Sequence, residues 1–243
     1  MLTSRAARLK TIGTALLLTS YGALAGAGQV EDAIDLYRSG DYAKALPLLQ
    51  SSGDKGDSNA MYNLALMYDR GHGVAKDPAK AAALYQKAAD KGNAMAQFNL
   101  GLSYSDGSGV QQDYKQAMRW YRKAAEAGYS RAQHNIANLY VNGNGVTKDA
   151  NEAARWFRLA AENGSLKSQF NMGVLYGTGN GVPLNYGEAA MWFGIAEANG
   201  EPKGPRNRLA AESQIDSTQI ASAKVRAAAW LKAHPGLQPE SDY

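Results

Sequence analysis

His72, His134 and His234 are the only imidazoles in the chain, and they stand in a turn, a helix and near the C-terminus. None opens a His-Glu-x-x-His pair, and neither a Gly-x-Ser-x-Gly elbow nor an EF-hand loop occurs, so metal-assisted hydrolysis and acyl transfer lack their parts. Cysteine is absent. That removes a thiolate nucleophile, a Cys-ligated zinc or iron site, a lipid-attachment cysteine and any disulfide scaffold. A phosphate loop is suggested by Gly143-Asn144-Gly145-Val146-Thr147-Lys148. It lies between two helical patterns instead of after a strand, lacks the later glycines and recurs four times, which makes it a structural turn. No catalytic residue, metal or cofactor is assigned.

Residues suited to holding a partner are easier to find. Tyr62, Phe98, His134 and Phe170 stand 36 apart, three aromatics and one histidine in one register. Leu66, Leu102, Asn138 and Val174, four positions on, share their helix face, and Gln97, Gln133 and Gln169 flank it. Two roles are open to this column. It can pack in the seam between repeats, or it can form an anchoring ladder for a bound peptide, with the glutamines pairing to an extended backbone, since aromatic side chains dominate binding hot spots. The adjacent Asn63, Asn99, Asn135 and Asn171 occur in every copy, so they read as structural hydrogen-bonding residues. His72 shares its register with Ser108, Asn144 and Asn180, which reads as an exposed turn position. Asn163-Gly164-Ser165 has the form of a glycosylation sequon but falls at a helix end that the repeat itself requires.

The elements that position these residues follow from one period. Gly56, Gly92, Gly128, Gly164 and Gly200 are 36 apart, and the same step relates Tyr68, Tyr104, Tyr140 and Tyr176, as well as Val74, Val110, Val146 and Val182. Four units result, 57–92, 93–128, 129–164 and 165–200. Within each, Ala60, Leu64, Met67 and Tyr68 or their copies line one face of a first helix. Gly71-His72-Gly73 and its copies end that helix and reverse the chain. Asp77, Asp113, Asp149 and Asn185 then cap a second helix rich in alanine, with Pro78 at the first start. Such a hairpin cannot bury its own apolar face, so the units must stack.

Atypical ends should close the stack. Residues 28–56 keep the second-helix register with a shorter Ser39-Gly40-Asp41 turn and read as an N-terminal capping hairpin. Residues 201–235 read as C-terminal capping helices: Pro202 and Pro205 break the chain, a polar helix covers Arg206–Gln214, and Asp216 with Gln219 forms a capping box for a last helix. Residues 236–243 read as a loose tail. At the start, Arg5, Arg8 and Lys10 precede an apolar stretch and then small residues, with Ala23-Leu24-Ala25 and Ala25-Gly26-Ala27 as cleavage patterns. Residues 1–27 thus read as a secretory signal peptide, an uncleaved anchor being the alternative. Removing it leaves 23 basic against 22 acidic residues. The near-neutral mature chain gives no support to nucleic-acid binding.

The unit Ala-x-x-Asn-Leu-Gly-x-x-Tyr-x-x-Gly-x-Gly-Val-x-x-Asp-x-x-x-Ala-x-x-Trp-Tyr-x-x-Ala-Ala-x-x-Gly, from Ala96 to Gly128, resembles the Sel1-like repeat, a relative of the tetratricopeptide repeat. The fourth unit departs from it with Ser168, Met172, Asn185 and Glu197. The resemblance implies an all-α, right-handed α-solenoid whose concave face binds a protein or peptide, with no enzymatic activity. Together with the signal sequence it implies a periplasmic or secreted interaction scaffold or regulator, or alternatively an immunity protein that neutralises a secreted toxin such as a lipid-degrading effector. The residues expected on the concave face are Tyr62, Leu66, Phe98, Leu102, His134, Asn138 and Phe170, with Gln97, Gln133 and Gln169 beside them.

Overall fold

The computed structural model describes residues 28–235; the expected signal peptide and C-terminal tail lie outside them. Among the described residues there are twelve helices and no strand. A first helix, α1, covers 28–38. It is followed by α2 (Tyr42–Asp54), α3 (Ser58–Arg70), α4 (Pro78–Asp90), α5 (Ala94–Asp106), α6 (Tyr114–Glu126), α7 (Ser130–Asn142), α8 (Ala150–Glu162), α9 (Leu166–Thr178), α10 (Tyr186–Ala198), α11 (Gly204–Glu212) and α12 (Ser217–Ala233). The helices from α3 to α10 have 13 residues each and form four tandem hairpins, the architecture of an α-solenoid.

Two glycines make each turn. Gly71, Gly143 and Gly179 are left-handed C-caps whose N–H groups donate to the carbonyls of Met67, Leu139 and Leu175. The second glycine does more than reverse the chain. Gly109 has φ +74°, and a Cβ there would fall onto the carbonyl of Pro78, at the start of the preceding hairpin's second helix. At Gly145 a Cβ would lie 2.7 Å from that of Tyr114, the corresponding residue one repeat later. Each turn is closed by the cap residue's N–H donating to the tyrosine carbonyl of the first helix, as in Asp77 to Tyr68 at 2.8 Å and Asn185 to Tyr176 at 2.9 Å. The side chains of Asp77, Asp113, Asp149 and Asn185 then cap α4, α6, α8 and α10.

The described residues fall into two compact units. One runs to Ala96 and includes Ser108–Val110; the other comprises Gln97–Gly107 and the chain from Gln111. In the first, α2 packs on α3 and α3 on α4, and Val30, Ala33, Ala45, Leu49, Ala60, Leu64 and Met67 form a core. In the second, helices α6 to α10 pack in sequence, and α10 also packs on α11 and α12. Its cores combine alanines with Tyr121, Ile136, Phe157, Trp192 and Phe193. Alanine allows close helix approach while the aromatics contribute most of the buried apolar area.

Two details differ from expectation. Helix α11 begins at Gly204, with Pro205 in its first turn. Proline lacks only an N–H that a helix start leaves unused, so here it opens a helix instead of breaking the chain. His72 is not a freely exposed turn residue: its ring stacks on Tyr42 at 4.6 Å and its Nδ1 lies 3.3 Å from the Tyr37 hydroxyl. His234, at the end of the last helix as expected, is the C-terminal cap of α12 and stacks on Trp230 at 4.1 Å.

Candidate functional site

The aromatic column is neither wholly core nor wholly surface. Each member meets the large aromatic residue of the second helix in its own hairpin: Tyr62 meets Tyr85 at 6.0 Å, Phe98 meets Tyr121 at 5.9 Å, His134 meets Phe157 at 5.3 Å and Phe170 meets Phe193 at 5.3 Å. Gly101 and Gly173 make room for this, since a Cβ at either would fall about 2.5 Å from the ring of Tyr121 or Phe193. Phe98 is 7% exposed, whereas Tyr62, His134 and Phe170 are partly buried. Leu66 is buried, Leu102 and Asn138 are partly buried, and Val174 is exposed.

The glutamines do not belong to a partner-binding set. Gln133 and Gln169 are each 1% exposed, and both ends of their carboxamides are engaged within the fold. Gln133 donates to the Ala125 carbonyl at 3.2 Å and accepts from Asn163 at 3.0 Å; Gln169 donates to Ala161 at 3.3 Å and accepts from Asn199 at 2.9 Å. A long amide one residue before the column reaches back to the end of the previous second helix and adds a bond to a carbonyl that the following glycine N–H also reaches. Gln97, at the same register, is buried. Asn163 of the sequon uses its Nδ2 in this bond. The repeated asparagines are structural in a less uniform way. Asn63 is buried and donates to Asn59 in its own helix, while Asn135 bonds the Tyr121 hydroxyl.

His134 departs from the aromatics of its register, and the structure supplies the reason. Its Nδ1 lies 2.8 Å from the Ser168 Oγ, and Ser168 occupies a register held by Ala60, Ala96 and Ala132 in the other hairpins. The two irregularities of the sequence therefore meet as one polar pair, a partly buried histidine on a buried serine. Burial, and then the nearby Lys167 charge, pull the imidazole pKa down to about 4. The neutral ring beside a serine resembles half of a nucleophilic pair. Ser168, however, is 0% exposed and cannot meet a substrate.

Two grooves lie on the second unit. The first, of about 520 Å³, is rich in amides: Ser105, Asp106, Gln112, Asn138, Asn142 and Asn144 line it together with the rings of Tyr114 and Tyr121. Its wall is fixed by Gln112, which donates to the Ser105 carbonyl at 2.7 Å and to the Tyr114 hydroxyl at 3.1 Å. Burial raises the Tyr121 pKa to about 12, so the phenol stays protonated. The second groove, of about 550 Å³, is lined by Phe98, His134, Arg131, Lys167, Glu201 and Pro202. Leu102 and Asn135 line both. Of the expected site residues, the structure gathers Phe98, Leu102, His134 and Asn138 here. Arg131, Lys167, Asn142 and Gln112 also line these grooves and were not among the expected residues; each stands in a register whose residue type varies between repeats.

Comparison with known proteins places these observations in context. A family model for the Sel1 repeat matches residues 58–93, 94–129, 130–165 and 166–201. Among solved structures, a Sel1 repeat protein from Oxalobacter formigenes is 31% identical, with 82% of this chain and 84% of that one covered and a TM-score of 0.71. A protective antigen of uropathogenic Escherichia coli with the same repeat fold is 30% identical over 86% of this chain and 54% of that one, at a TM-score of 0.54. An immunity protein from Pseudomonas aeruginosa is 19% identical over 85% of this chain and 84% of that one, with a TM-score of 0.48. No curated protein matches the chain.

Proposed function

Because the chain belongs to the Sel1 repeat family, we propose that it is a non-catalytic protein-binding scaffold that works in the cell envelope and holds its partner on the grooved face of the second unit. The observation that carries this reading is the continuity of the two grooves through Leu102 and Asn135, which gives one face with apolar, amide and charged sectors. Pockets of this mixed character, a few apolar anchors among convergent polar groups, are the usual recognition surface. In support of the non-catalytic part, the serine and histidine in contact among the described residues form a pair whose hydroxyl is sealed from solvent. Regulation of an envelope protein and neutralisation of a toxin would use the same face, and the identity of the partner separates them.

The test is affinity purification from an envelope fraction with the wild type and with Leu102→Arg, followed by titration of the purified partner. Leu102 is partly buried in the floor shared by both grooves, and loss of a central anchor costs about 1 to 3 kcal/mol of binding. A partner that binds the variant with unchanged affinity would place the binding face elsewhere. Export is tested by mass spectrometry of the mature protein. An N-terminus close to Gly26 or Gly28 supports a cleaved signal, and an intact Met1 on a membrane-bound product refutes it.

A further inference from the structure

Stacking needs only what all copies share, so the repeats provide an internal control for the first groove. Its polar groups are not shared. One repeat on, the positions of Gln112, Tyr114, Tyr121 and Asn138 carry Lys148, Ala150, Phe157 and Val174. The groove is also tied together by its own bonds. The buried Tyr121 hydroxyl is hydrogen-bonded by the side chains of Asn135 and Ser105, and Gln112 uses its Nε2 on the Ser105 carbonyl and the Tyr114 hydroxyl, which leaves its Oε1 as an acceptor. The carboxamides of Asn138, Asn142 and Asn144 and the carboxylate of Asp106 line the same groove and make no hydrogen bond to another described residue.

The volume of about 520 Å³ falls within the usual range of small-molecule sites, about 300 to 1,000 Å³. Among the described residues that line it there is no lysine, arginine or histidine, and Asp106 is the one charged group, so phosphate and carboxylate ligands are disfavoured. Besides the tyrosine rings, its apolar lining is Leu102 and Leu139, too little to anchor the large side chains that dominate protein hot spots. What remains complementary is an uncharged ligand dense in groups that both donate and accept. Each carboxamide offers a donor and an acceptor, the carboxylate accepts, and a hydroxyl can answer either. Sugars carry such a hydroxyl on most carbons, and the C–H face of a pyranose packs flat on an aromatic ring, here the partly buried ring of Tyr114.

We propose that the first groove is a binding site for an uncharged saccharide, whose hydroxyls are hydrogen-bonded by Asp106, Asn138, Asn142 and Asn144 while Tyr114 stacks on a sugar ring. This goes beyond the protein-binding reading and does not depend on it, because the second groove, with Phe98, Leu166 and Pro202 in its lining, stays available to a protein. A chain that carries both sites tethers its protein partner to a glycan.

The probes are four uncharged trisaccharides, maltotriose, cellotriose, mannotriose and N-acetylated chitotriose, titrated into the isotope-labelled protein and followed by NMR, with the acidic trigalacturonate and a capped tetraalanine as comparators. At least one of the four should shift the side-chain amide signals of Asn138, Asn142 and Asn144, which are assigned by their loss in single variants. Trigalacturonate should bind at least fivefold more weakly than that sugar. Asn138→Leu, Asn142→Thr and Tyr114→Ala should each weaken the sugar at least fivefold. Each substitution installs a residue that another hairpin carries at the same register, as in Leu66, Thr178 and Ala150, so the fold is retained, and melting curves check this. No response to any of the four trisaccharides overturns the proposal. So do a response of the same signals to tetraalanine alone, equal binding of trigalacturonate, and sugar binding left unchanged by any of the three substitutions. If Leu102→Arg abolishes partner binding while no sugar binds, the protein face stands and the saccharide site falls. If Leu102→Arg leaves partner binding intact while the asparagine variants lose a sugar, the saccharide site stands and the protein face falls.

Discussion

His134 shows what a single residue can encode in a repeat. A neutral imidazole held at a pKa of about 4 binds fewer protons folded than unfolded, where the ordinary value is 6.5. Its contribution is therefore complete above pH 6.5 and is lost as pH falls toward 4, and burial together with the Lys167 charge opposes its protonation. Denaturant melts should show a stability loss of about 2 kcal/mol from this group between pH 7.5 and 5. His134→Phe should remove most of that acid sensitivity. Ser168→Ala alone should cost about 1 to 2 kcal/mol by stranding Nδ1, and the double variant, which restores the aromatic and alanine of other hairpins, should recover much of it. Both residues are visible in the sequence as exceptions, yet their meeting is not, because a period gives register without giving rotation about the helix axis. The glutamines mislead for the same reason. Gln133 and Gln169 flank the column in sequence but turn into the seam, and Gln169→Leu should destabilise by about 1 to 2 kcal/mol because the Asn199 amide loses its acceptor.

Elements were the most legible level, since their ends are written in chemistry that acts locally. Asp77, Asp113, Asp149 and Asn185 cap the helices expected of them, and Asp216 with Gln219 forms the full capping box. Pro205 was misread because proline marks both the end of one helix and the beginning of another. The turn glycines were recognised for their backbone freedom, but the second one also meets a neighbouring helix, which no local rule reveals. Two substitutions separate these effects. Gly92 has φ +86° with open space around it, so Gly92→Ala should cost about 1 kcal/mol in strain alone. At Gly109 the methyl would collide with the Pro78 backbone, and Gly109→Ala should cost about 3 kcal/mol or more by chemical denaturation. Equal losses at the two sites would show that the close approach is not maintained in solution.

Across the whole chain, a step of 36 residues made the all-α repeat architecture readable, because five registers agree only if the same hairpin recurs. The proposed binding face was half readable. Phe98, Leu102, His134 and Asn138 were noted as a varied column, while Arg131 and Lys167, which stand three residues before His134 and Phe170 on the same helices, were not. The seat of the second glycine has a consequence for how such a chain can change its length. Gly109 lies in one repeat and the Pro78 carbonyl it rests on lies in the one before, so each turn gauges the spacing between consecutive helix starts. Excising residues 94–129 joins a complete repeat to a complete repeat and brings Gly145 onto the seat that Gly109 leaves. Removing two residues fewer would shift every later turn off its seat. Gene duplication and loss can thus lengthen or shorten this molecule only in whole multiples of its period, and a circular dichroism melt of the two deletions should show a cooperative transition for the first and none for the second.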